Sequence, residues 1–196
     1  ASLPFDTERD FAAVSLLGSV PLALVAHPST GFKTSKDLIQ AAKLKPRTIN
    51  SGSGGNGTGG HLAMELFARA TGIQLVHVPY KGATGAVTAV VSGETQISFA
   101  GVPPVLGFIK EGRLVPLLVT SAQRVPTLPG IPTADETGVA GYEVDVWFGL
   151  LGRAGTPPAI LKLLSGQVAQ IVREPAVNAK MIAQGFVPVG SMPEEF

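Results

Sequence analysis

The sequence predicts an α/β fold with mostly parallel strands, and three observations predict it. Short aliphatic runs alternate with helix-patterned stretches along most of the chain. Charged residues make up only 15% and apolar residues 45%, which suits a sheet covered by helices on both faces. Glycine (24) and proline (16) are frequent among the 196 residues and fall between the runs, where tight connections need them. This length buries a real core and allows one or two domains.

The elements follow in order. Residues 21–29 (PLALVAHPS) form a buried strand ended by Pro28. Residues 34–46 form a helix that Thr34 or Ser35 caps, with Asp37 in its first turn and Pro46 at its end. A strand at 48–50 leads into a glycine-rich loop. An amphipathic helix over 61–72 follows, with Leu62, Leu66, Phe67 and Ala70 on one side and Gly72 as its stop. Residues 73–82 are a strand entering a turn, 83–93 a helix, 95–101 a strand, and 103–112 a helix opened by proline. Residues 113–124 form a strand in which Pro116 shortens the ladder or marks an edge. Turn-rich sequence over 125–141 surrounds a short helix. Residues 142–152 alternate and then become wholly apolar, 157–174 and 175–185 are helices, and 186–190 is a last strand. The closing SMPEEF carries a helix-start signal.

Composition excludes several functions. A net charge of +1 gives no basic field for nucleic acid. The absence of cysteine removes disulfides, thiolate metal sites and cysteine nucleophiles. No apolar run approaches the roughly 18 residues that would cross a bilayer, so no membrane insertion is expected. The first residues show neither a basic region nor an apolar one, so no signal peptide is visible. The protein is then cytosolic, or this chain starts after its leader.

The motif that carries chemistry lies in TINSGSGGNGTGGHLAMELF, residues 48–67, where Gly52, Gly54 and Gly57 spell G-x-G-x-x-G. A dinucleotide site needs an acid about 20 residues on, at the end of the next strand. That place holds His77, Tyr80 and Lys81 instead. A phosphate loop ends in Gly-Lys-Ser/Thr, but here Gly57 is followed by Thr58 and Gly59. A plain flexible turn would use fewer glycines. Ser51, Ser53, Asn56 and Thr58 are interleaved with bare backbone before a helix start, an arrangement that suits a small anion or carboxylate. Two further strand ends, HVPYKG (77–82) and SFAGVPP (98–104), belong to the same edge of an open sheet, where ligand crevices form. Lys81 offers a positive charge and Tyr80 a hydroxyl and a wall; alternatively Lys81 is solvated and Tyr80 packs. His61, one turn into the helix, lines the site or else caps or packs. No H-E-x-x-H, Gly-x-Ser-x-Gly or paired-carboxylate pattern is present, so no catalytic residue and no metal ligand is assigned.

These segments, together with LPFDTERDFAAVSLLGSVPLALVAHPS, GRLVPLLVTSAQRVPTLPGIPTADETG, WFGLLGRAGTPP and PVGSMPEEF, resemble the Bug family. Its members are the extracytoplasmic solute receptors of tripartite tricarboxylate transporters. The resemblance runs in order through essentially the whole chain. It implies a periplasmic binding protein of type II-like architecture, with two α/β lobes and a hinge. Its ligand is a small carboxylate (a di- or tricarboxylate or an aromatic acid), its partners are membrane transporter subunits, and no cofactor and no catalysis are involved.

On this resemblance the ligand-binding residues are Ser53, Gly54, Gly55, Asn56, Gly57, Thr58, His61, Tyr80, Lys81 and Ala100. Where the family often reads Tyr-Ala-Ser-Ser-Gly-Asn-Gly-Thr, residues 51–58 are Ser-Gly-Ser-Gly-Gly-Asn-Gly-Thr. Where it commonly has a polar or acidic residue, this chain has Ala100, which disfavours a ligand with an amine. The resemblance further implies that residues 1–20 and 148–196 are parts of a first lobe, incomplete here, and that residues 21–147 form the second lobe with the glycine loop. Trp147, the only tryptophan, then lies near the hinge, or else is a core aromatic. The competing expectation is a cytosolic α/β enzyme whose glycine loop binds a phosphate or nucleotide.

Overall fold

A computed structural model describes residues 4–196. The chain divides into two compact units: Pro21–Val146, and the residues up to Val20 together with Trp147–Phe196. One long strand, β1 (Phe11–Ala26), runs from the second of these into the first. The sequence pattern suggested a strand from residue 21 only. The apolar run in fact continues upstream, and Pro21 does not break it. Proline has no N–H to give to a ladder. Here it stands where the partners of β1 change: Gly18 and Ser19 pair one strand, while the residues from Leu22 onward pair others.

In the Pro21–Val146 unit the chain continues through α1 (Ser35–Leu44), β2 (Asn50–Ser53), α2 (Gly59–Thr71), β3 (Val76–Pro79), α3 (Ala83–Ser92), β4 (Ile97–Gly101), α4 (Val102–Lys110) and β5 (Val115–Val119). The strand order is β3-β2-β4-β1-β5. β2 is parallel to both β3 and β4, as strands joined by crossover helices must be. β1 is antiparallel to β4 and to β5. The sheet is therefore mixed, and the expectation of mostly parallel strands needs correction. β4 and β5, joined by α4, flank β1, which enters the sheet from the opposite edge. β5 is one of the two edge strands on this path, and its register with β1 slips at Leu24/Val25, opposite Leu118 and Pro116. Pro116, with no N–H to donate, is tolerated at such a place.

Alternation along β1 builds two cores. Leu22, Leu24 and Ala26 face one side with Leu38 and Ala42 of α1, Ala63, Met64 and Phe67 of α2, and Ile97 and Phe99 of β4. Ala23 and Val25 face the other with Val87 and Val90 of α3 and Val102 and Val105 of α4. Helices thus cover both faces, which explains why the second half of β1 is apolar on both sides.

The other unit holds the first half of β1, then β6 (Asp145–Arg153), α5 (Pro158–Arg173), α6 (Pro175–Ala183) and β7 (Val187–Pro188). β6 and β7 both pair β1. Gly18 lies against β7 so closely that a Cβ would fall 2.6 Å from the Val187 carbonyl oxygen. Ser191 holds the first half of β1 by accepting from the Leu16 N–H at 2.9 Å and taking the Ser15 hydroxyl on its own carbonyl at 2.8 Å. Trp147 is 59% exposed and meets Phe196 edge-on, so the expectation of a core tryptophan does not hold. SMPEEF, which carries the helix-start signal, forms a 3₁₀ turn at Pro193–Glu195.

Candidate functional site

β2, β3 and β4 are mutually parallel, so their carboxyl ends lie along one edge of the sheet. Each is followed directly by a helix: α2 after loop 54–58, α3 after Tyr80-Lys81-Gly82, and α4 immediately after Gly101. None of these three helices has a side-chain cap. α1 differs, since it carries a full capping box between Thr34 and Asp37. First-turn N–H groups without a side-chain acceptor, with the positive end of the helix dipole behind them, favour an anion. α4 begins with Val102-Pro103-Pro104, so it adds dipole but few donors. Donor capacity is concentrated at α2 and α3.

The glycine loop is well determined by its neighbours. The sequence placed the strand at 48–50, but the strand is 50–53, so Ser51, Gly52 and Ser53 are ladder residues. Gly52 is buried in the sheet. The G-x-G-x-x-G spelling therefore straddles a strand and a loop. The loop rests on the next strand's turn: the Tyr80 N–H donates to the Ser53 carbonyl at 2.9 Å and the Gly82 N–H to the Gly54 carbonyl at 3.0 Å. A Cβ on Gly54 would lie 2.9 Å from the Ala83 nitrogen, so only glycine allows this contact. Gly55 (φ +128°) and Gly57 (φ +77°) adopt backbone that other residues resist. Thr58 sits at the N-cap of α2 but turns its hydroxyl back onto the Gly55 carbonyl at 2.8 Å, leaving the helix start uncapped. Asn56 is exposed at the loop tip.

Two histidines brace this loop. His61 Nδ1 accepts the Gly57 N–H at 3.0 Å. His77, on β3, lies 2.6 Å through Nε2 from the Ser53 hydroxyl, and that hydroxyl also accepts the Gly55 N–H at 3.2 Å. The two rings stack, with centroids 3.9 Å apart and planes 17° from parallel. Burial pushes the His77 pKa below its ordinary value, and the neighbouring His61 charge pushes it further down. His77 was not singled out by sequence reasoning. Its role depends on the pairing of β3 with β2, which no local pattern encodes.

Of the remaining expected residues, Tyr80 donates its hydroxyl to Glu94 at 2.8 Å. Burial, then that hydrogen bond, raises the Tyr80 pKa. Its ring packs beside Gly52 and Gly85 as a wall. Lys81 is exposed on the turn. Ala100 is set apart from the rest: it is 7% exposed and its side chain belongs to the core with Ala23 and Val25. Ser53 to Thr58, His61 and the Tyr80–Gly82 turn are thus brought together, while Ala100 contributes packing. Among the described residues no cluster of three His, Asp or Glu side chains could hold a metal ion.

The model of the tripartite tricarboxylate transporter family receptor matches residues 1–194. The chain belongs to this family. Protein BugT of Bordetella pertussis is 31% identical over 194 residues, which cover 99% of this chain and 60% of BugT. Among solved structures, Rpa4515 of R. palustris with adipate is 32% identical with a TM-score of 0.91, covering 99% of this chain and 65% of that one. The periplasmic binding protein BugD aligns at 27% identity with a TM-score of 0.83, over 94% of this chain and 62% of BugD. This receptor-family chain therefore spans less than two thirds of the length of these relatives. Among its described residues no helix is long and apolar enough to cross a membrane.

Proposed function

We propose that this chain is part of a periplasmic solute receptor that captures a small carboxylate and delivers it to a tripartite transporter, without making or breaking a bond. The observation that carries the reading is the row of three helix starts without side-chain caps at the ends of β2, β3 and β4. Such a site suits a compact anion with several acceptor oxygens. Loop 53–58 supplies N–H and hydroxyl donors, Tyr80 a wall, and Lys81 a positive charge. Residues 53–58, His61 and 80–82, brought together at the loop, include no acid to hold a ligand ammonium, which favours a carboxylate without an amine. The adipate bound by Rpa4515 is a ligand of that class. The domain assignment belongs to the same proposal: Pro21–Val146 corresponds to the lobe that carries the loop, and the remaining residues contribute to the other lobe.

Calorimetry on the full-length protein with a panel of di- and tricarboxylates and aromatic acids tests this reading. At least one is expected to bind, and Asn56→Leu and Thr58→Val are expected to weaken it. Unchanged affinity in both variants would remove the loop from the site. A thermal shift with NAD(P) or ATP and none across the carboxylates would favour the phosphate-binding enzyme instead.

A further inference from the structure

The stacked His61–His77 pair does more than border the sheet edge; it holds the loop. We infer that His61 and His77 are positioning residues whose neutral state keeps loop 53–58 in its binding conformation, and that a proton on the pair releases the loop. The inference rests on the carboxylate reading of that loop only for its consequence on binding.

His61 Nδ1 can accept the Gly57 N–H only while it carries no proton. Protonation sets two N–H groups against each other, and Gly57 must turn away. The other ties of the loop do not reach Gly57: the Tyr80 and Gly82 amides hold Ser53 and Gly54, and the Ser53 and Thr58 hydroxyls hold Gly55. Protonated His61 instead gains from Glu65, whose Oε1 lies 3.7 Å from Nε2. The acid stays on the helix, so the proton shifts the ring's partnership from the loop to α2.

His77 sets the limits of the response. With ring centroids 3.9 Å apart the two imidazoles oppose a second positive charge, so the pair takes up one proton. The Ser53 hydroxyl fixes His77 in the stack. Around the pair β2 (Asn-Ser-Gly-Ser), β4 (Ile-Ser-Phe-Ala-Gly) and loop 54–58 carry no charge, while Lys81 follows β3 in the turn and Asp145 precedes Val146, whose methyl approaches Gly59 at the start of α2. On α2 only Glu65 faces the pair, with Arg69 one turn further on. Because His77 has a lowered pKa in the fold, the unfolded chain binds protons more readily. The stability it contributes is therefore present above its ordinary value of 6.5 and is lost as pH falls through the folded value.

The test follows Gly57 and both imidazoles by NMR in the ¹⁵N-labelled chain between pH 8 and pH 5. The exchange of the Gly57 amide with water, corrected for intrinsic pH dependence, is expected to rise about tenfold in step with the protonation of the pair that the imidazole signals report in the same samples. His61→Asn puts an amide oxygen where Nδ1 stood and takes up no proton, so its Gly57 amide stays protected at both ends of the range. His61→Phe keeps a stacked ring but no acceptor, so its amide exchanges fast throughout. Equal protection of wild type at both pH values, or the same step in His61→Asn, overturns the proposal. In the full-length protein carboxylate affinity should fall with the same midpoint in wild type and not in His61→Asn. Loop release without any change in affinity leaves the latch in place and counts against the loop as the ligand site.

Discussion

Gly60 approaches β4 so closely that a Cβ at its position would lie 2.5 Å from the Phe99 carbonyl oxygen. The obstacle is backbone in a central strand, which cannot move aside as a side-chain tip can. Gly60→Ala is therefore expected to destabilise the protein by about 1–3 kcal/mol, as overpacking does, and to push the start of α2 away from the sheet. At Gly59 the atom nearest to an added Cβ is a Val146 methyl carbon, 2.6 Å away, and a methyl can rotate aside with its side chain. Gly59→Ala should cost less than Gly60→Ala. Urea denaturation of both variants checks the order, and equal losses would show that α2 shifts as a whole.

Thr58 stands at an N-cap without capping. Replacing it by Asp would offer the first-turn amides an internal carboxylate, in the position helices prefer it. Thr58→Asp is expected to keep or raise the melting temperature and to lower carboxylate affinity by at least about tenfold, since the built-in acid competes for the same donors. Calorimetry and thermal unfolding together decide it. Affinity that survives this change would mean that the α2 amides do not meet the ligand.

The capped helix behaves differently. Asp37 Oδ2 takes the N–H groups of Lys33 and Thr34 at 2.9 and 2.8 Å, and these bonds, the Lys33 one first, hold its pKa below the ordinary 3.8. A depressed carboxylate pKa contributes stability above the unfolded value that is lost as pH falls through the folded one. Below pH 3.8 the start of α1 should therefore loosen as Asp37 protonates, while Asp37→Asn should show no such acid step. Thr34→Ala is expected to cost about 1 kcal/mol at neutral pH. Neither change should alter carboxylate affinity, because α1 is not among the helices that start at the loop edge. Amide exchange at Lys33 and Thr34 across the acid range gives the readout.

Tyr142 crosses from the end of the turn region to α2, where its hydroxyl donates to the Ala63 carbonyl at 2.8 Å and its ring meets Phe67 edge-on. Burial raises its pKa. Tyr142→Phe keeps the ring contact and loses one hydrogen bond, so a loss of about 1 kcal/mol is expected, with binding unchanged. A loss several times larger would place the hydroxyl in a wider network.

The sequence by itself determined most of the helices and the place of the glycine loop before α2. The helices over Ala83–Ser92, Val102–Lys110 and Pro158–Arg173 match their apolar spacing and their proline and glycine stops, because helix boundaries are written in local chemistry. Glycines before the 61–72 helix led to the expectation of a backbone anion site, and the missing acid and lysine argued against a nucleotide. Tertiary structure decided what depends on partners distant in the chain. β1 runs through Pro21 because its neighbours change there, and it lies antiparallel because it enters the sheet from the opposite edge. Gly52 and Ser53 became strand residues because β3 and β4 offered them a ladder. The parallel pairing of β2 with β3 also brought the Ser53 hydroxyl to His77 and stacked His77 on His61. These contacts join residues 16 to 24 positions apart, and strand register, set by whole-sheet packing, is what a local pattern does not carry.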